Sequence, residues 1–384
     1  MASKRQVINL PGLSGKHSSP MAVKIGSMLL SSTITGTETG RGELAEGAER
    51  QFDVAFQNMM ALVERAGMTT DNIAIVTVFV PDGSYRKFIN KPWLEAFPDD
   101  HNRPARKTTA YALPEGQFVQ LQMLAVAGGR RELLEIPGLA HRDPLPIGVK
   151  IGDMVYSSVI GGQDPETGKQ IEGAERQIEQ AFENMRTLVE QAGGTVANIA
   201  HVWVFLRERS DQPTMVKTWL KMFPQDGDRP ARKTIMYDEL KGRETLIQLQ
   251  FTAVLNGRRE NFEIPVVGHH DPIPMGAKVG NLLFSSGIGG YDSKSGKRGQ
   301  GLERQVDFAF ENMRALVERA GGQLGDIGHV TTLIRDYGAM AVIAKKWREV
   351  FPQENDQPAC HAMALGLSAG NLVQLHILSL LTSP

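Results

Sequence analysis

The sequence predicts an α+β protein: three tandem β-β-α-β-α-β-β units packed as a pseudo-trimer. Three observations carry that expectation. The stretch AEGAERQFDVAFQNMMALVERAG at 45–67 returns as IEGAERQIEQAFENMRTLVEQAG at 171–193 and as GLERQVDFAFENMRALVERAG at 301–321. A Pro-Ala pair falls at 104, 230 and 358, so the chain steps by 126 and then 128 residues. Within each step, the apolar pattern passes from strand to helix and back in the same order. Steps this long describe whole domains, since solenoid repeats run only about 20–50 residues. The expected boundaries are 1–128, 129–256 and 257–384, with joins at GGRRELLEIPG and NGRRENFEIP.

The second unit shows each element most clearly. RELLEIPG and VKIGDMVYSS alternate and join near Gly152, as strands do. Ile178, Ala181, Phe182, Met185, Leu188 and Val189 recur at helical spacing, and Gly193 offers the left-handed turn that ends a helix. NIAHVWVFL is β-branched and aromatic, hence a strand. In DQPTMVKTWLKMF, the four-residue spacing of Met215, Trp219 and Phe223 marks a second helix. RKTIMYDEL and ETLIQLQFTAVL close the unit as two strands. Two helices cover one sheet face, and the alternating closing strands (Val119, Leu121 and Met123 against Gln120 and Gln122) suggest that the other face is also occupied. Three linked copies solve this if their sheets pack around a pseudo-three-fold axis. That arrangement opens a cleft at each junction, a favoured place for small ligands.

Bulk composition narrows the function. The chain has 384 residues, 41% hydrophobic and 22% charged, and a formal net charge of -1. Such a balance recruits neither nucleic acid nor an anionic membrane. The single cysteine cannot form an internal disulfide, and MASKRQVINLPGL lacks the apolar run of a signal peptide. No apolar stretch approaches the ~18 residues of a membrane helix. The expectation is a soluble, cytoplasmic protein. No H-E-x-x-H, Cys-x-x-Cys or phosphate-loop spacing occurs, so no metal or cofactor is expected. GGQDPETGK reads as a loop, and His201 and His329 as structural strand residues.

RPARKT stands at 103–108 and again at 229–234, whereas the third copy reads QPACHA at 357–362. With the Ser-Ser-Gly stretch at 285–287, the helix ending ALVERAG, and PARKTTAYALPEGQFVQLQMLAVAG in the first unit, the chain resembles the RidA/YjgF family of reactive-intermediate deaminases along nearly its whole length. The resemblance implies a chorismate-mutase-like fold and a homotrimer fused into one polypeptide, with further homo-oligomerisation left open. It implies a small, carboxylate-bearing substrate anchored by Arg106 and Arg232, whose guanidinium forks match a carboxylate; the alternative is a structural salt bridge. The family's strand-two serine falls on Ser32, Ser158 and Ser286, to bind substrate oxygen or to be satisfied within its strand. Its second-helix asparagine matches only Asn90, with Val216 and Ala344 in the other units. The glutamate thought to hold the attacking water is replaced by Gln120, Gln248 and Gln374, which can hold a water but not take its proton. Lys107 and Lys233 stand where the family prefers a small residue.

Cys360, in the arginine's place, is either an inert buried side chain or the nucleophile of a specialised third cleft. His361 beside it points to the opposite strand face. His17, His141 and His269 open the three units in HSSP, HRDP and HHDP, and Lys24, Lys150 and Lys278 recur before the hairpin glycines. They are expected either to bind substrate or to serve as turn and edge residues. The leading functional expectation is hydrolysis of a C–N or C=N bond at these clefts. A non-catalytic small-anion binder or chaperone-like protein is one alternative. The other is ring-opening of a cyclic amide by Ser–Lys pairs, with the architecture of cyanuric acid hydrolases and barbiturases.

Overall fold

The computed structural model describes residues 4–13, 19–365, 367–368 and 370–381. The first unit runs β1 (Arg5–Ile8), β2 (Ala22–Ile25), β3 (Met28–Ser31), β4 (Ile34–Thr35), α1 (Ala48–Arg65), β5 (Ile73–Val80), α2 (Asn90–Ala96), β6 (Ala105–Ala110) and β7 (Gln120–Val126). The second runs β8 (Glu132–Leu134), β9 (Gly148–Ile151), β10 (Met154–Ser157), β11 (Ile160–Gly161), α3 (Ala174–Gln191), β12 (Ile199–Leu206), α4 (Gln212–Met222), β13 (Ala231–Met236) and β14 (Ile247–Val254). The third runs β15 (Arg259–Phe262), β16 (Gly276–Val279), β17 (Leu282–Ser285), β18 (Ile288–Gly289), α5 (Gly301–Arg319), β19 (Ile327–Ile334), α6 (Met340–Val350), β20 (Ala359–Ala364) and β21 (Val373–Leu380).

Each unit therefore places four strands, not two, before its long helix. Gly152 adopts φ 56° and folds β10 back on β9 with Ile151 opposite Met154, so VKIGDMVYSS is a hairpin of two strands. RELL adds an edge strand outside that hairpin, and β11 a short final one. The first sheet has the order β1-β2-β3-β7-β5-β6, with β4 on β7, and the other two repeat it. Pairing is antiparallel except for β5–β6, β12–β13 and β19–β20. Those parallel pairs need a crossover, which α2, α4 and α6 supply.

One face of each sheet is covered by its own helices. The expected stripe on α3, from Ile178 to Val189, is buried, and Gly193 ends the helix at φ 85°. Trp219 on α4 meets Phe182 edge-on at 6.4 Å, as Trp93 meets Phe56 and Trp347 meets Phe310. The other face is covered by the neighbouring units. A second apolar cluster takes equivalent positions from all three, such as Val23, Val149 and Ala277, or Leu30, Tyr156 and Phe284. β5 packs on β9 and β10, β12 on β16 and β17, and β19 on β2 and β3, which closes the ring. Gly328 belongs to this contact. It takes the position of Ala74 and Ala200, and a Cβ there would lie 2.4 Å from Leu30 Cδ1.

Arginines lock the ring at its outer edge. Arg131 donates to the carbonyls of Ile73 and Asn102 in the first unit, and Arg259 to those of Ile199 and Asp228 in the second. Arg5 completes the circle, donating to the Ile327 carbonyl and pairing with Asp356 in the third. Among the described residues, no helix is long and apolar enough to cross a membrane.

Because the axial cluster draws on all three units, they are expected to unfold together. Ile151→Ala, at a side chain 1% exposed, should cost about 2–4 kcal/mol in urea denaturation. The loss should appear in one transition for the whole chain, not in one of three.

Candidate functional site

Side chains alternate along a strand, so the paired residues Arg106–Lys107 and Arg232–Lys233 point to opposite faces. The arginines turn toward their own second helix. Their guanidinium carbons sit 4.7 Å over the Trp93 ring and 4.7 Å over the Trp219 ring, a cation–π contact that fixes the fork. The lysines turn across the junction. Lys107 Nζ donates to Gln248 Oε1 at 2.9 Å, and Lys233 Nζ to Gln374 Oε1 at 2.5 Å. Burial pushes Lys233 down to about 8, and burial with nearby Arg86 and Arg243 holds Lys107 well below the usual lysine range. Lys233 keeps some accessible surface, through the cavity it lines.

The next unit supplies the rest of each site. At the first junction, Arg106 pairs with Asp143 at 3.1 Å and donates to Asn90 Oδ1 at 3.1–3.2 Å, while Asn90 Nδ2 donates to Asp143 at 3.1 Å. At the second, Arg232 pairs with Asp271, and Gln212 Nε2 reaches the same carboxylate at 3.3 Å. Burial pushes both arginines down to about 10, opposed by their aspartates, so both stay charged at neutral pH. His141 and His269 stand beside these pairs. Burial pushes both down to about 4, helped by the charge of Arg106 at His141 and of Lys233 at His269. The Nε2 atoms of both rings, and Arg232 Nε, are buried without a partner among the described residues.

The second junction holds a cavity of about 200 Å3, lined by Arg232, Lys233, His269, Asp271, Gly287 and Gln374 among others. Gly287 lies in its wall. Val159 and Thr33 take its place in the other units, and a Cβ on Gly287 would lie 3.1 Å from the Gln374 amide.

Several expected site residues fall elsewhere. The strand-two serines are stitches between units: Ser158 Oγ accepts the Arg106 backbone N–H at 3.0 Å, Ser286 that of Arg232 at 3.0 Å, and Ser32 that of Cys360 at 2.8 Å. Ser32 also donates to the Pro20 carbonyl at 2.5 Å, which leaves its hydroxyl no free proton. The repeated lysines do not approach them. Lys24 Nζ donates to the Ala66 carbonyl at the end of α1, Lys150 pairs with Glu132 across the β8–β9 ladder, and Lys278 with Glu260 across β15–β16. The Ser–Lys pairs of the ring-opening expectation therefore do not form. Burial pushes the Cys360 thiol up to about 12, and among the described residues its sulfur meets only the Thr332 hydroxyl, at 3.9 Å. Among the described residues no base stands beside the thiol to activate it, although Cys360 is only half-buried and lines a cavity of about 310 Å3 at the third junction with Ser32 and Thr33.

His361 takes the place of Lys107 and Lys233. Its Nδ1 meets Thr33 Oγ1 at 2.8 Å and its Nε2 meets Tyr111 OH at 3.1 Å; Tyr111 donates to Gln120 Oε1 at 3.0 Å. Gln120 thus keeps its place opposite the strand but through a tyrosine. His17 lies outside the described residues.

Residues 9–127, 140–255 and 274–374 each match the family described as Endoribonuclease L-PSP. The chain belongs to the RidA/YjgF family, once per unit. It is 32% identical over 106 residues to a RutC family protein of Aquifex aeolicus, spanning 27% of this chain and 85% of that one. It is 32% identical over 103 residues to a 2-iminobutanoate/2-iminopropanoate deaminase of Dermatophagoides farinae, spanning 25% and 79%. A chorismatase crystal structure shares the fold across 80% of this chain and 93% of its own, with a TM-score of 0.57 and 14% identity. The link to deaminase chemistry on small metabolites stands at the level of the superfamily.

Sequence reasoning named Lys107 and Lys233 as departures from the RidA pattern without giving them a role, and it missed Asp143, Asp271, Gln212 and Tyr111. The lysines' only signal was a charge where the family prefers a small side chain, and that signal becomes readable once the junction shows an amide opposite each.

Five buried imidazoles, at His141, His201, His269, His329 and His361, are pushed down to about 3 or 4 by burial. Their folded pKa lies below the unfolded value near 6.5, so the unfolded chain binds more protons between about pH 6.5 and 3. Stability should therefore be full above pH 6.5 and fall as the pH drops. Urea midpoints at pH 7.5 and 5 should differ, and His361→Gln should flatten the dependence; equal midpoints would contradict it.

Proposed function

We propose that the chain hydrolyses a C=N bond of a small carboxylate-bearing imine at the junction of the second and third units. The observation that supports this most is the convergence of Arg232, Lys233, His269 and Gln374 on one cavity. Arg232 carries a buried Nε–H without a partner among the described residues, and an aspartate that a substrate carboxylate can replace. Lys233, down at about 8, offers the base that the glutamines cannot. In the reaction, water held near Gln374 attacks the imine carbon and gives a proton to neutral Lys233 Nζ. The resulting ammonium returns the proton to the nitrogen of the carbinolamine. Neutral Lys233 Nζ then takes the carbinolamine's hydroxyl proton and passes it to the nitrogen, so that the C–N bond breaks, the carbonyl forms and ammonia leaves. The guanidinium holds the carboxylate throughout, so catalysis draws on positioning and electrostatics. The first junction carries the same set in Arg106, Lys107, Gln248 and His141, with Asn90 added.

A second reading, as a small-anion binder, is favoured by one fact: both arginines already have a carboxylate partner within the chain. It differs by showing carboxylate-dependent thermal stabilisation without turnover.

Ammonia release from freshly generated 2-iminopropanoate decides between them. Arg232→Ala and Gly287→Val should each lower kcat/KM by about 100-fold or more, while Cys360→Ala should leave it unchanged. The base acts deprotonated, so kcat/KM should rise as pH climbs through about 8, and Lys233→Met should remove both the rate and that rise. No turnover by the wild type, or turnover indifferent to Arg232 and Lys233, would overturn the reading.

A further inference from the structure

The pseudo-three-fold axis holds a second cavity, of about 160 Å3, that the junction chemistry does not use. Equivalent strand positions of all three units wall it, yet the wall is not symmetric. His201 and His329 stand where the first unit has Ile75, Trp203 where the others have threonine, and His376 where they have Gln122 and Gln250. On one side His201, Trp203 and His376 form a continuous ring surface. Their centroids lie 5.4 Å apart from His201 to Trp203 and 5.3 Å from Trp203 to His376. On the other side Gln122 Nε2 meets His329 Nε2 at 2.8 Å, so those two groups satisfy each other.

The aromatic side is left wanting. Both ring nitrogens of His376 and the Nε2 of Gln250 have no hydrogen-bond partner among the described residues, although these side chains are only 5% and 8% exposed. The Ser285 backbone touches the titration of His376 without meeting hydrogen-bond geometry. A buried polar group left this way is destabilising, and an occupant that bonds to it recovers that loss. The chemistry of the walls defines the occupant. Among the described residues no charged side chain lines the cavity, and burial keeps its imidazoles neutral, so neither an anion nor a cation is matched. Among the described residues no three side chains converge as metal ligands. A neutral imidazole offers one donor and one acceptor, and the amide two donors. A dry cavity of about 150 Å3 is known to accept a benzene ring.

We propose that the axial cavity binds a small, uncharged, planar molecule, one ring in size, with a donor–acceptor edge such as a lactam. The ring lies against His201, Trp203 and His376, and the edge satisfies His376 and Gln250. The site is separate from the junction clefts and stands whether or not they hydrolyse imines.

The test titrates the full chain with 2-pyridone, and with benzene as a ring lacking the polar edge. Tryptophan fluorescence reports on it, because Trp93, Trp219 and Trp347 are 0–2% exposed beneath the helices, whereas Trp203 faces the cavity. The expected result is a saturable response that disappears in Trp203→Phe, with calorimetry giving one site per chain. Binding should weaken about tenfold, the equivalent of one lost hydrogen bond, in Gln250→Leu and in His376→Leu. Should a variant fail to fold, the imidazole nitrogen shifts of His376 in the wild type give the same reading, moving on addition of 2-pyridone. Absence of a saturable response, benzene binding as tightly as 2-pyridone, unmoved His376 shifts, or loss of binding with Arg232→Ala would each overturn the proposal.

Discussion

Each sheet of this protein has one face that its own helices cover and one that only a neighbouring unit can cover. The rest of the architecture follows from that constraint. The uncovered faces carry Val23, Val149 and Ala277 and their strand neighbours, which share one cluster around the axis. Hydrophobic burial closes the ring, and directional bonds then set its register. The serine that follows β3, β10 or β17 accepts a backbone N–H from the strand of the preceding unit, and an edge arginine caps carbonyls of that same unit. Because the stitch is made to the backbone of Arg106, Arg232 or Cys360, the residue at the heart of each cleft is positioned by the interface itself.

Strand alternation then divides the labour at each junction. One face of β6 or β13 presents an arginine to the tryptophan of its own unit, and the other sends a lysine to the glutamine of the next. A cleft needs both faces and hence two units. Covalent fusion frees the three junctions to diverge, which identical subunits cannot do. The first adds Asn90 to its arginine. The second holds a cavity with Gly287 in its wall. The third exchanges arginine for a neutral thiol and lysine for a histidine bonded to Tyr111.

The fold was legible in the sequence because it is written three times. Helix stripes such as Ile178 to Val189, and the ending at Gly193, depend on local spacing and emerge as read. The strand count did not, because the glycine of VKIGDMVYSS marks a turn within what reads as one alternating run. Arg106 and Asn90 were found together through the family motif and do meet. Residues whose role depends on a partner from another unit were harder. Nothing local shows that Lys107 faces Gln248 or that Asp271 fills the fork of Arg232. Cys360 drew attention by being alone, yet what surrounds its sulfur, the Thr332 hydroxyl and a cavity shared with Ser32 and Thr33, is a property of the assembled junction.

The most direct test of this account is a crystal structure of the protein with pyruvate, the keto acid left when 2-iminopropanoate loses ammonia. The account expects the pyruvate carboxylate on the guanidinium of Arg232 with Asp271 displaced, and the keto carbon facing Lys233 and Gln374. Pyruvate bound elsewhere, with the Arg232–Asp271 pair intact, would contradict it.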